Sequence, residues 1–95
     1  MCGYLYASAG HGESTTDMTF AGHNLIAENG SLLADAAPFA GEDAVTELDL
    51  GRMVQERQRN TTFMPETSDY TTVEFELPPV ELALIRPVSC TPFVP

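Results

Sequence analysis

The chain has 95 residues and a mass of 10.3 kDa, room for one small domain or one piece of a larger one. Hydrophobic residues at 43% and charged residues at 19% exclude a disordered or collagen-like chain, and no apolar run reaches the roughly 18–20 residues of a membrane span. Fourteen acidic residues against four basic ones give a formal net charge of −10, which argues against nucleic acid and anionic membranes as partners.

Residues 2–9 (CGYLYASA) are small, aromatic and apolar, with no charge, and predict a strand buried on both faces. Gly10-His11-Gly12 breaks it, and Glu13-Ser14-Thr15-Thr16-Asp17 follows as an exposed polar loop. In NLIAENGSLLAD, Asn29-Gly30 sits between the apolar arms Leu25-Ile26-Ala27 and Leu32-Leu33-Ala34. Asn-Gly supplies the positive φ angles of a type I′ turn, so a hairpin is predicted near 22–36. Residues 36–43, with Pro38, Gly41 and two acids, form a connecting loop.

Residues 45–50 (VTELDL) alternate apolar and polar, as a half-buried strand does. Asp49 is placed to cap a following helix by accepting from its free backbone N–H groups. Leu50, Met53, Val54 and Arg57 fall on one face of that helix, which should fade near Asn60. Some three turns do not stand alone in water, so it must dock on something. Residues 71–77 (TTVEFEL) alternate again, predicting a strand with Val73, Phe75 and Leu77 on one side. Five of the seven prolines, Pro78, Pro79, Pro87, Pro92 and Pro95, mark a closing connector. The predicted class is α+β, mostly antiparallel strands with one helix.

Few residues offer chemistry. The basic residues, Arg52, Arg57, Arg59 and Arg86, are all arginines, so no lysine nucleophile or Schiff base can form. Cys2 lies in an apolar strand with no nearby cation to lower its pKa, which favours a buried structural thiol over a nucleophile. Cys90 has no activating base beside it, and two ordinary thiols are the simpler reading than one bridge between the chain ends. His11 lies between glycines, where it either reaches a ligand or is solvated. His23 begins a strand, twelve positions away, which is no metal-ligand spacing. Glu13 and Asp17 lack the glycine and terminal glutamate of a calcium loop. Gly10-His11-Gly12-Glu13-Ser14 has the wrong order for a hydrolase elbow. No phosphate-cradle motif is present, and no metal ligand set is assigned. The run Gln55 to Arg59 reads as a solvated helix face, with a partner-binding face as the alternative.

The longer pattern carries more. A tyrosine-rich strand ending Ala-Ser-Ala-Gly leads into Gly12-Glu13-Ser14-Thr15-Thr16-Asp17, then Phe20-x-Gly22-His23 and Ile26-x-Glu28-Asn29-Gly30. Asp49-Leu50 follows with Arg52, Gln55, Glu56, Arg57 and Arg59, and the end has Arg86-Pro87 and Pro92-Phe93-Val94-Pro95. This string resembles the bacterial glutamine-dependent NAD synthetases, in the late part of their glutaminase domain, which belongs to the carbon–nitrogen hydrolase (nitrilase) superfamily. The match is firmest over residues 4–63.

The resemblance implies that residues 1–77 are the C-terminal part of a glutaminase domain, within an α-β-β-α sandwich. Residues 78–95 would lead towards the synthetase domain. A parent of this family hydrolyses glutamine with a Glu–Lys–Cys triad and passes the ammonia to a domain where ATP, with Mg, activates deamido-NAD. The triad lies upstream of the matched region, so no catalytic residue is transferred and no cofactor is assigned to the chain itself. The piece is expected to be a non-catalytic scaffold in a cytoplasmic enzyme, with the remainder of the parent as its partner. Glu13, Ser14, Thr16 and Asp17 are its candidate contact residues, a self-bonded polar loop being their plainer role. A charge-free strand edge without a cover recruits other chains, so the isolated piece is expected to form a dimer. The alternative is a free-standing acidic β-rich protein-binding module.

Overall fold

The computed structural model describes residues 1–13, 16–62 and 69–91. Its centre is the hairpin that Asn-Gly dictates. Strand β2 (Asn24–Glu28) turns through Asn29 and Gly30, at φ 48° and 84°, into β3 (Ser31–Ala36). Both turn residues are left-handed, as a type I′ turn requires. Strand β1 (Gly3–Ala7) adds antiparallel to the other side of β2, giving a three-stranded sheet in the order β1-β2-β3. Tyr4 pairs with Ala27, Leu5 with Ile26 and Tyr6 with Leu25. The β2–β3 register shifts between Ile26 and Ala27, where β3 carries an irregularity.

Helix α1 (Leu50–Arg59) starts where the sequence puts its cap: the Asp49 Oδ1 accepts from the Arg52 N–H at 2.9 Å. Arg57 and Arg59 in the last turn complement the negative end of the helix dipole. The Asn60 N–H donates to the Glu56 carbonyl and closes the helix. α1 docks through Met53, which is buried, and through the Arg57 Nε, which donates to the Met1 carbonyl at 2.6 Å. The predicted α+β class holds.

Three expectations are corrected. Residues 45–49 form no strand and join no ladder. Their alternation has another use: Leu48 lies over Gly3, where a Cβ would meet its Cδ1 at 2.8 Å, while the Glu47 carboxylate accepts from the Ile85 and Arg86 N–H groups. Residues 71–77 likewise form no strand, and Val73, Phe75 and Leu77 are more than three-quarters exposed. Alternation prepares a strand, but a ladder needs a neighbouring strand, and none lies beside either segment among the described residues. Finally, β1 is not buried on both faces. It forms a sheet edge, with Tyr4, Leu5 and Tyr6 exposed, because no second layer covers them here.

Candidate functional site

The sheet register sorts side chains onto two faces. Pairing places Gly3 with Glu28, Leu5 with Ile26 and Ala7 with Asn24 on one face. On that face stands the best-organised polar cluster. Glu28, the last residue of β2, has a side chain only 3% exposed. Its Oε1 accepts from the Asp49 N–H at 2.5 Å and from the Arg86 Nη1 at 3.1 Å, and its Oε2 accepts from the Arg86 Nη2 at 2.8 Å. One carboxylate thus ties together the end of the hairpin arm, the N-terminus of α1 and a residue 58 positions downstream. Glu47 completes the cluster: its Oε1 accepts from the Ile85 N–H at 2.8 Å and its Oε2 from the Arg86 N–H at 2.9 Å.

The electrostatics follow from these bonds. The Arg86 guanidinium, and after it the Asp49 N–H, hold the Glu28 carboxyl below the ordinary carboxylate range. Burial pushes the other way and is outweighed. Arg86 is raised in turn, chiefly by its bond to Glu28. A carboxylate locked in its ionised form by a fork of two N–H groups is a poor proton donor or acceptor near neutrality. Its chemistry is positional.

A second feature is an open cleft of about 630 Å³ at the other end of the sheet. Its walls come from the turn at Gly10 to Gly12, the approach to β2, and the loop after β3. Ser8, His11, Thr19, Asn24, Glu42 and Asp43 bring polar groups to it. The Asn24 Nδ2 donates to the Glu42 carbonyl at 3.2 Å and so joins two of these walls. The Phe39 N–H donates to the Ala21 carbonyl at 2.7 Å and holds Phe39 at φ 64°, an unusual conformation for a bulky residue.

The candidate contact residues separate. The Glu13 Oε2 accepts from the Gly10 N–H at 2.8 Å, and the Glu13 N–H donates to the Gly10 carbonyl at 3.2 Å, so Glu13 closes its own turn. Thr16 and Asp17 are exposed and do not line the cleft. Ser14 lies outside the described residues. His11 lines the cleft from its exposed turn. His23 pairs with Asp35 across the hairpin, Nε2 to Oδ1 at 2.6 Å. Cys2 and Cys90 are both free thiols and both exposed, which corrects the expectation of a buried Cys2: its strand is an uncovered edge. Among the described residues, no group of three or more His, Cys, Asp or Glu side chains converges to hold a metal ion.

The Glu28–Arg86 pair was not anticipated as a unit, although both residues sit in stretches that carry the resemblance. Its sequence signal is faint: a glutamate on the inward-facing alternation of a hairpin arm, and a single arginine in an otherwise uncharged run of prolines and aliphatic residues.

The glutamine-dependent NAD(+) synthetase of Mycobacterium leprae is 40% identical over 106 aligned positions that take in the whole of this chain. Those of Mycobacterium tuberculosis and Mycobacterium bovis are 36% identical over the same length. In each case the chain spans 16% of the length of the curated relative it matches. No family model and no solved structure matches the chain.

Proposed function

The chain is homologous throughout to one segment of the glutamine-dependent NAD(+) synthetases, and on that premise we propose that it serves as a non-catalytic scaffold and contact piece of such an enzyme. The observation that carries this reading is the identity of 36–40% along the whole chain, set against only 16% of each relative's length. The segment belongs to the glutaminase part, a carbon–nitrogen hydrolase (nitrilase-type) sandwich, and residues 78–95 lead towards the synthetase part. In the parent, located in the cytoplasm, ammonia released from glutamine displaces AMP from deamido-NAD that ATP, with Mg, has adenylated. The residues of this chain contribute neither nucleophile nor base to that sequence.

What supports a scaffold role is the use to which its best-buried polar group is put. Glu28 spends its acceptor capacity on Arg86 and Asp49, holding three distant stretches of chain together. The 13–17 loop, with Glu13, Ser14, Thr16 and Asp17, is the candidate contact with the remainder of the parent.

Two experiments test the reading. A chimaera of the Mycobacterium leprae enzyme carrying this chain in place of its matched segment is expected to make NAD from glutamine. A folded chimaera active with neither glutamine nor free ammonia would count against it. The 95 residues alone are expected to release no ammonia from glutamine, and release abolished by Cys2→Ala would overturn the non-catalytic role. For the loop, Asp17→Ala in the chimaera is expected to lower the coupling of glutamine hydrolysis to NAD formation. Unchanged hydrolysis and unchanged coupling would remove the contact assignment.

A further inference from the structure

Two consecutive residues of the proline-marked connector spend their N–H groups on two carboxylates. The main-chain N–H groups of Ile85 and Arg86 donate to the two oxygens of Glu47, at 2.8 and 2.9 Å. The Arg86 Nη1 and Nη2 donate to the two oxygens of Glu28, at 3.1 and 2.8 Å. The carboxylates are themselves joined, because Glu28 also accepts from the Asp49 N–H. A closed ring results. It runs from Glu28 to the Asp49 N–H, along the main chain to Glu47, on to the Arg86 N–H, and back through the guanidinium to Glu28. Every bond in it is made within this chain.

Such a ring fixes direction more than it adds stability. Apolar contacts hold without regard to orientation, whereas a forked arginine–carboxylate pair sets the angle at which its partners meet. A buried ion pair is also a weak stabiliser, because desolvating both charges offsets much of their attraction. Glu28 and Arg86 carry that cost, with side chains 3% and 28% exposed. Glu47 adds a second grip, so Arg86 is held by its main chain as well as by its side-chain tip. The chain bends at Arg86, and Pro87 follows at once. The proline ring fixes its own φ at about −65° and restricts the backbone of the residue before it, so few conformations are open to this corner.

We propose that Arg86 is a positioning residue: the ring sets the direction in which the connector leaves the sheet. In a parent enzyme that direction places the synthetase part relative to the glutaminase part. Arg86 thereby governs how completely ammonia from glutamine is used in NAD formation. This consequence for coupling rests on the function proposed above; the held corner does not.

The corner is tested on the 95-residue chain. Cys2 and Cys90 are free and exposed, so both accept nitroxide labels. They straddle the ring: the Cys2 carbonyl accepts from the N–H of Asn29, beside Glu28, and Cys90 lies just beyond Pro87. Double electron–electron resonance is expected to give one narrow distance distribution. The comparison is the double variant Glu28→Gln, Arg86→Met. It leaves no buried charge alone and keeps an amide oxygen for the Asp49 N–H. It is expected to retain its far-ultraviolet circular dichroism spectrum and to broaden the distribution. An equally narrow distribution in the variant, or an equally broad one in the unaltered chain, overturns the proposal. Should the double variant unfold, Glu47→Gln replaces it with the same expectation, since it withdraws one acceptor from the two main-chain N–H groups.

The consequence is tested in the chimaera. With Glu28→Gln, Arg86→Met, the NAD formed per glutamine hydrolysed is expected to fall. Glutamine hydrolysis, and NAD formation from free ammonia, are each expected to stay at the level of the unaltered chimaera. A role in stability alone would lower both activities together and leave the ratio unchanged. An unchanged ratio in an active chimaera overturns the coupling role while the proposed function stands. An unaltered chimaera active with neither nitrogen source overturns the coupling role together with the function it rests on, and the distance distribution still decides the corner.

Discussion

The carboxylate of Glu28 and the guanidinium of Arg86 meet edge to edge, with Oε1 on Nη1 at 3.1 Å and Oε2 on Nη2 at 2.8 Å, although 58 residues separate them. The two oxygens and two nitrogens form the planar fork that only arginine offers a carboxylate. Because the Glu28 side chain is buried, removing either partner leaves the other short of bonds. Glu28→Gln and Arg86→Ala should each lower the thermal unfolding midpoint, and the double variant should lose much less than the two losses added. Arg86→Lys should not restore the midpoint, since a single ammonium cannot bridge both oxygens. Scanning calorimetry on the unaltered chain and these four variants checks this, and strict additivity would show that the pair does not act as a unit.

The same pair fixes an acid limit. Glu28 is held below the ordinary carboxylate range by Arg86 and by the Asp49 N–H, so its folded-state pKa lies below that of the unfolded chain. The stability it contributes is therefore complete above the unfolded value of about 4.3 and is lost as pH falls through the lower, folded value. Urea midpoints measured downward from pH 6 should hold and then fall below about pH 4.3. In Glu28→Gln that acid limb should be shallower, while the midpoint near neutrality is already reduced.

At the hairpin, Gly30 stands at φ 84° and Asn29 at φ 48°. A side chain at position 30 meets nothing within 4 Å, so any penalty there comes from the backbone and not from a clash. Gly30→Ala should destabilise by roughly 1–2 kcal/mol, the cost of placing an L-residue in left-handed conformation. Asn29→Gly should be much milder because glycine accepts the same angles. Denaturant titrations with unchanged slope check both. An equal loss at the two positions would point to the Asn29 side chain, not to conformation.

The features legible in the sequence are those fixed within a few neighbouring residues. Asn29-Gly30 demands its turn, and Asp49 reaches only to Arg52, so hairpin and helix appear where local chemistry puts them. Residues 45–50 and 71–77 carry the same alternation as a true strand, but the partner that would make them one is not a local property. The same limit explains the Glu28 cluster. Nothing near Glu28 announces Arg86, and nothing near Arg86 announces Glu47, because their meeting depends on the path of the intervening chain. In the candidate loop, Glu13 was visible as an acid, but its engagement with the Gly10 N–H is a matter of turn geometry.

Asp49 separates two ways of holding a helix start. Its side chain accepts from the Arg52 N–H, while its own backbone N–H donates to Glu28, so the first turn is satisfied by one bond made within the helix end and one made to the sheet. Asp49→Ala removes only the former and should cost about 1 kcal/mol, the usual loss of an N-cap oxygen. Asp49→Ser should recover most of it, since a hydroxyl accepts the same N–H. Asp49→Pro removes the backbone donor as well as the cap, and should both destabilise further and release the Glu28 oxygen that the Asp49 N–H had held. Hydrogen exchange at the Arg52 and Met53 amides distinguishes the cases: protection should fall at Arg52 in Asp49→Ala and return in Asp49→Ser. If Arg52 exchanged equally fast in both, the start of α1 would be held by its bond to the sheet and the cap would be incidental.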